Sequence, residues 1–294
     1  MRTIWWAILS RLSRLWVGDE RIRHRRIASG TVAESGRASH KSIMNDDLSL
    51  ERVVATIRRA GFALCDHAQM RAWLGAGCGR WHDFSASWND LPEDRHMADG
   101  GRYRRRRFAV LDLEGTSLRR VPHQPHFQAR AYNRLNGGIA RWFEPVSDGI
   151  ASHPIIRRLV CSAGEVFDAL FAGRPPSPWH VEMHQFRIEA SRGQSGLPTP
   201  EGIHRDGVDG VVVLLIDRQN VASGTTELFD PQKRRLGAFT LAQPGEAVFL
   251  DDARIFHGVT PIMPLNPDLP AIRDVLVVTF QRSDGGAGVR MARE

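Results

Sequence analysis

Residues 199–218 read TPEGIHRDGVDGVVVLLIDR. A polar turn carries His204-Arg-Asp206 between Gly202 and Gly207 and runs into VVVLLI, a continuous apolar run of strand length. Such a run predicts a buried strand. Two residues separated by one in an extended chain project to the same side, so His204 and Asp206 present two metal donors together. Only one other place in the chain offers His-x-acid, His180-Val-Glu182, and it opens a predicted strand with no turn around it. A ligand pair at the mouth of a β-structure matches the first, not the second.

Outward from this stretch the β character continues. WHVEMHQFRIEA precedes it, and TTELFD, RLGAFTLA, EAVFLD, FHGVTPI and DVLVVTFQR follow, broken by Gly, Pro, Asp and Asn. Short strands at this spacing predict a sandwich or small barrel. Before Trp179 the pattern is mixed. MNDDLSLERVVATIRRAGFAL (44–64) predicts a helix over 47–60 capped by Asn45 or Asp46 and closed by Gly61, then a strand around Phe62–Leu64. A second helix is expected from His67, a strand in GGRYRRRRFAVLDL, and a helix over 153–171. The expected class is α+β, with N-terminal flanking helices and mixed structure (44–175) packed on a jelly-roll core (176–286) in a single domain, 44–294.

The net charge of +7 suggests nucleic acid until its location is considered. Nine basic and three acidic residues fall in residues 1–43, so the remainder is nearly neutral and binding of nucleic acid by the body is not expected. Residues 1–17 form an amphipathic pattern too short to span a bilayer, so membrane contact is expected only there, if anywhere. Residues 1–43 read as a basic extension or a mis-assigned start, with Met44 opening the folded part. Three scattered cysteines (Cys65, Cys78, Cys161) give neither a disulfide framework nor zinc spacing, which points to a reducing, cytoplasmic compartment. The sequence leaves a homodimer open.

A third ligand must come from a distant strand. His257, in EAVFLDDARIFHGVTPI, opens a short strand after the turn at Asp251–Asp252, and Arg273 begins a long strand sixteen residues later. Two histidines and a carboxylate on one face suit an iron(II) that keeps open positions for oxygen. An arginine fork suits a dicarboxylate co-substrate.

The order HRDG, FHGV and then an arginine opening an apolar strand resembles the iron- and 2-oxoglutarate-dependent dioxygenases. PHQPHFQ, YNRLNGGIARWFEP, MHQFRI and PEGIHRDG resemble, more narrowly, the bacterial family that includes the isoleucine 4-hydroxylases, over about Gly61 to Arg282. This resemblance implies a double-stranded β-helix (jelly-roll, cupin-like) core, with Fe(II), 2-oxoglutarate and O2 as cofactor and co-substrates. It implies His204, Asp206 and His257 as iron ligands, Arg273 on the distal carboxylate of 2-oxoglutarate, and a free L-amino acid as the small-molecule substrate. Asp206 argues for oxygenation, because related halogenases leave the carboxylate position empty. One departure lies after Asn220, where VASGTTE puts Ser223 and Thr225 in the place of a paired-glycine turn and its acid.

Fainter signals concern the substrate. Two residues of Arg104 to Arg107 should face inward on an alternating strand, with Arg105 or Arg107 as the expected carboxylate contact. Gln185 and Arg187 share the strand face expected to lead to the metal, with His184 turned away. His123 and His126 are expected in a loop or behind the ligands. The rival readings are a non-catalytic metal-binding jelly roll, which has no need of Arg273, and a zinc hydrolase using Glu201, Asp209 or Asp252 as base.

Overall fold

A computed structural model describes residues 49–174 and 177–283. The basic extension, the proposed start at Met44 and the candidate caps Asn45 and Asp46 lie outside the described residues. Helix α1 (Leu50–Ala60) is capped by Ser49, whose side chain accepts from the Arg52 amide. Such a cap is worth about 1 kcal/mol. Gly61 closes the helix as expected, at φ 83° with its N–H on the Ile57 carbonyl. Next come β1 (Phe62–Cys65), α2 (His67–Leu74), α3 (Trp81–Ala86), β2 (Arg104–Glu114), β3 (Ser117–Arg120) and α4 (Asp148–Ala151). Helix α5 (Pro154–Leu170) starts with proline in its first turn, where no amide is needed, and buries Ile156, Leu159, Val160, Ala163 and Phe167.

The remaining elements are strands: β4 (Trp179–Ala190), β5 (Gly210–Gln219), β6 (Val221–Ser223), β7 (Thr226–Phe229), β8 (Arg235–Phe239), β9 (Ala247–Asp251), β10 (Phe256–Val259), β11 (Ile262–Pro264) and β12 (Ala271–Arg282). An antiparallel seven-stranded sheet runs β1-β9-β5-β12-β4-β2-β3, beside a three-stranded sheet β10-β7-β8 and a pair β11-β6. The flanking part thus supplies three strands of the main sheet, and β2 pairs with β4 from Arg104 to Leu113.

The helices cover one face of the large sheet. Val181 and Met183 of β4, Leu214 and Ile216 of β5, and Leu276 and Val278 of β12 pack there with α1, α2 and α5 in one apolar cluster. Packing is close: a Cβ on Gly164 of α5 would lie 2.4 Å from Leu113 Cδ2. The opposite face meets the small sheet through Val211, Leu228, Val248 and Leu250, joined by Phe239 and Val277. Two facing antiparallel sheets with helices outside one of them form the expected jelly-roll architecture. No helix among the described residues is long and apolar enough to cross a membrane.

The turn that departs from the family pattern shows its cost in the backbone. Ser223 holds φ 57° beside Gly224 at φ 71°, a left-handed conformation that glycine adopts without a Cβ penalty. Ser223→Gly is expected to stabilise the protein by about 0.5–1 kcal/mol, read as a higher Tm in thermal denaturation; a lower Tm would mean the serine side chain has a role that outweighs the strain.

Candidate metal centre

His204, on the turn before β5, and His257, on β10, face each other across an isolated antiparallel bridge. Each backbone N–H donates to the other's carbonyl at 2.9 Å, and the imidazole centroids are 4.5 Å apart. Asp206 brings its carboxylate between the rings, Oδ1 3.7 Å from His204 Nε2 and Oδ2 3.8 Å from His257 Nε2. His204 Nδ1 lies 3.0 Å from the Gly202 carbonyl, which can only accept, so Nδ1 carries a proton and Nε2 is the nitrogen turned toward Asp206. His257 Nδ1 is buried without a hydrogen-bond partner. All three donors lie within 4.8 Å of one another, a set that fits a divalent metal.

The loop carrying Asp206 is held by Asp252. Its carboxylate accepts from the amides of Asp206 (3.0 Å), Gly207 (2.8 Å) and Val208 (3.1 Å). Burial and the neighbouring Asp206 charge push the Asp252 carboxyl up to about 7. Burial opposes the charge on Asp206 too, but the hydrogen bond from His204 and the two neighbouring imidazoles outweigh it and hold Asp206 ionised. On His204, burial is overcome by the hydrogen bond and charge of Asp206, raising it to about 9, while burial and then charged His204 lower His257 to about 4. One imidazolium, one neutral imidazole and a carboxylate form the resting charge pattern.

The three donors open onto a cavity of about 870 Å³ between the sheets. Arg273 lines it from β12, 3 % exposed, on the strand face shared by Val275, Val277 and Thr279. Its Nε is buried without a partner, and its guanidinium makes no hydrogen bond or ion pair among the described residues. Burial and then nearby Arg218 bring Arg273 down to about 10, so it stays charged. A buried, uncompensated guanidinium facing a cavity fits the carboxylate of a dicarboxylic co-substrate.

Comparison with known proteins agrees with this geometry. The family model described as 2OG-Fe dioxygenase matches residues 85–279.

The chain belongs to the 2OG-Fe dioxygenase family.

It is 29 % identical over 161 residues to an L-isoleucine-4-hydroxylase of Bacillus thuringiensis, an alignment covering 53 % of this chain and 64 % of that protein, so less than two thirds of the relative's length is spanned. The crystal structure of a BsmA homologue from Methylobium petroleophilum PM1 superposes with a TM-score of 0.74 at 37 % identity, covering 82 % of this chain and 96 % of that one. The structure of IDO from Bacillus thuringiensis gives 0.68 at 19 % identity, covering 80 % and 100 %, and shares the fold.

Within this family member the strand faces differ from several expectations. Arg105 pairs with Glu189 at 2.8 Å, and Arg107 donates to the carbonyls of Pro145 and Asp90. Gln185 donates to Ser87 Oγ, and Arg187 pairs with Asp274 at 2.7 Å. None of these four lines the cavity. The correction is one of parity. Arg105 is paired with Arg187 and Arg107 with Gln185 on the far face, whereas Arg104, Arg106, Glu182, His184 and Phe186 occupy the cavity face. His184, expected to point away, points in. Of the candidate bases, Asp252 supports the metal loop, Asp209 pairs with Arg174, and Glu201 lines the cavity. Arg141 also lines it and was not singled out in the sequence, where it sits in an irregular segment with no strand period to orient it.

His126, Glu182 and His184 form a second cluster close enough for a metal. Its hydrogen bonds argue otherwise. Arg106 Nη2, which can only donate, lies 2.7 Å from His184 Nδ1, so the His184 proton sits on Nε2, the nitrogen 3.7 Å from Glu182. Burial lowers His184 to about 3 and keeps it neutral. His126 Nδ1 donates to Glu182 at 3.0 Å. The group is a hydrogen-bonded wall in which Glu182, held well down by His126 despite its burial, remains ionised.

Two measurements probe the centre. A cation must displace the proton that His204 holds up to about pH 9. Mn(II) affinity should therefore rise about tenfold per pH unit between about pH 7 and 9, with release of about one proton per ion. Calorimetric titration in buffers of different ionisation enthalpy reads both, and a pH-independent affinity would contradict the charge pattern. Asp252→Ala strips the acceptor from three loop amides and should weaken Mn(II) binding by about 10- to 100-fold without loss of secondary structure by circular dichroism; unchanged affinity would mean the loop is held by other contacts.

Proposed function

We propose that this protein is an Fe(II)- and 2-oxoglutarate-dependent hydroxylase of a free L-amino acid with an aliphatic side chain, releasing succinate and CO2. The observation that carries the reading is the placement of Arg273. It is a buried cation with no hydrogen bond or ion pair among the described residues, on the cavity that receives His204, Asp206 and His257. A binding module that merely held a metal would gain nothing from that unpaired charge, which costs free energy in the absence of an anion.

His204, Asp206 and His257 would hold iron(II), which supplies, with 2-oxoglutarate and O2, the oxidising power to functionalise an unactivated C–H bond. Arg273 would bind the distal carboxylate of 2-oxoglutarate through its planar fork and so set which way the co-substrate faces. Val211, Val213, Val248, Leu250, Val275 and Val277 give the cavity an aliphatic strip between the sheets. That strip excludes water and suits a branched hydrocarbon side chain. Neutral His184, fixed by Arg106, keeps additional positive charge away from Asp206. The amino-acid hydroxylase names among the relatives favour the same substrate class.

Incubation of anaerobically purified protein with Fe(II), 2-oxoglutarate and ascorbate, followed by air, should yield succinate stimulated by one or more L-amino acids, together with a product heavier by one oxygen. His204→Ala should abolish both. Substrate-independent succinate in the wild type, with no oxidised amino acid across the panel, would overturn the substrate assignment. Failure to bind iron would overturn the reaction class.

A further inference from the structure

Besides Arg273, the arginines that line the cavity include Arg104, Arg106 and Arg141, and their partners differ. Arg104 donates from Nε to Asp94 at 2.8 Å and forms an ion pair with it, Nη2 lying 2.7 Å from the carboxylate. Arg106 lies 3.9 Å from the same carboxylate, donates to His184, and stacks 3.6 Å over Phe143. Arg141 is 2 % exposed, has a buried Nε with no partner, and makes no hydrogen bond or ion pair to any described residue. Phe143 lies 5.6 Å from its guanidinium carbon, and burial is the main influence that lowers its affinity for a proton. Its backbone is pinned to His126 by reciprocal 2.9 Å hydrogen bonds, so the side chain is presented from a fixed anchor.

A complementary orphan faces the same space. Glu201 lines the cavity, and its Oε2 is buried without a hydrogen-bond partner. Oε1 lies 3.5 Å from His204 Nε2, yet Glu201 does not belong to the mutually close group of His204, Asp206 and His257. Arg141 and Glu201 feel each other's charge but are not paired with one another. An unpaired buried cation and an unpaired buried carboxylate oxygen in one cavity each carry a desolvation cost that a bound ligand of opposite local charges would offset.

Resting on the amino-acid reading above, we propose that Arg141 and Glu201 recognise the α-amino acid zwitterion, Arg141 the carboxylate and Glu201 the ammonium. The pair forms a second charged site, separate from Arg273. It requires both groups on one ligand: an amine without a carboxylate leaves Arg141 uncompensated, and a 2-hydroxy acid leaves Glu201 without a cation. The aliphatic strip then accommodates the remaining side chain.

The test is a binding measurement without turnover. Full-length protein loaded with Mn(II) and 2-oxoglutarate under argon is titrated calorimetrically with a panel of L-amino acids, and each binder is compared with its 2-hydroxy acid and its decarboxylated amine. Arg141→Met should weaken amino acid and 2-hydroxy acid by at least about 30-fold. Glu201→Gln should weaken the amino acid by about tenfold or more while changing the 2-hydroxy acid by less than about threefold. Both variants should still bind Mn(II) and 2-oxoglutarate. Arg141→Met should keep or raise Tm, since it removes a buried charge without a partner, whereas a structural arginine would leave a less stable protein. Amino acids that bind wild type and variants alike would sink the pair and leave the substrate class standing. Loss of Mn(II) from Glu201→Gln would reassign Glu201 to the metal and overturn its role here. A wild type that binds no amino acid would sink the pair and the substrate class together.

Discussion

β12 is hydrogen-bonded along its length to β4 on one side and along most of it to β5 on the other, and this double pairing determines which side chains can meet. Strand side chains alternate between faces, so a one-residue slip would exchange the cavity set for the helix-facing set. In the observed register Thr279, Val277 and Val275 lie opposite Glu182, His184 and Phe186, all on the cavity side. Leu276 and Val278 go to the helices. The register with β5 shifts between Asp274 and Val275. There the indole of buried Trp88 donates to the carbonyls of Phe186 and Val275, so the irregularity does not leave those polar groups buried alone. Arg273 lies two residues before the carbonyl that Trp88 holds, and its direction into the cavity follows from the same strand alternation.

The cavity concentrates positive charge in a place where charge is expensive. Asp94 is held ionised because Arg104 and Arg106 outweigh its burial, and one buried carboxylate thereby compensates two guanidinium groups. Arg106 is itself turned to service, fixing the tautomer of His184 and packing on Phe143 and Phe186. Arg141 and Arg273 have no carboxylate bonded to them among the described residues. A protein selected for stability alone would have replaced them with apolar residues. Their retention inside a closed core makes sense where ligands arrive carrying the missing negative charge.

Much of this was legible in the chain, for identifiable reasons. The candidate metal set could be read because His204 and Asp206 are separated by one residue within a glycine-bounded turn, and because His257 and Arg273 each fall near the start of a strand. Both are local patterns that tertiary packing had only to bring together. The substrate side was harder. Arg104 to Arg107 satisfy either face equally well, since an unbroken run of one residue type carries no alternation, and the face was decided by pairing with β4, a segment more than seventy residues away. The same register turned His184 inward and Gln185 outward. Ser49 caps the first helix because its side chain accepts from the first-turn amide of Arg52, a role that several polar residues before an apolar run could fill equally well on sequence alone. Arg141 lies in 122–146, stitched by scattered bonds such as Gly138 N–H to the Gln128 carbonyl and Phe108 N–H to the Glu144 carbonyl. Such a segment has no period from which orientation can be read.

The reciprocal peptide bonds between His204 and His257 have a bearing on working life. An iron centre that handles oxygen is exposed to losing its ion through oxidation. Here two of the three ligands are clasped by amide and carbonyl groups, and the third by the Asp252 carboxylate, so the grip on the ligands belongs to the polypeptide rather than to the metal. The ordering of the ligands is settled when the chain folds. On the iron reading proposed above, a protein that lost its ion would keep the seat in shape, and replenishment would require only a fresh ferrous ion rather than a round of refolding.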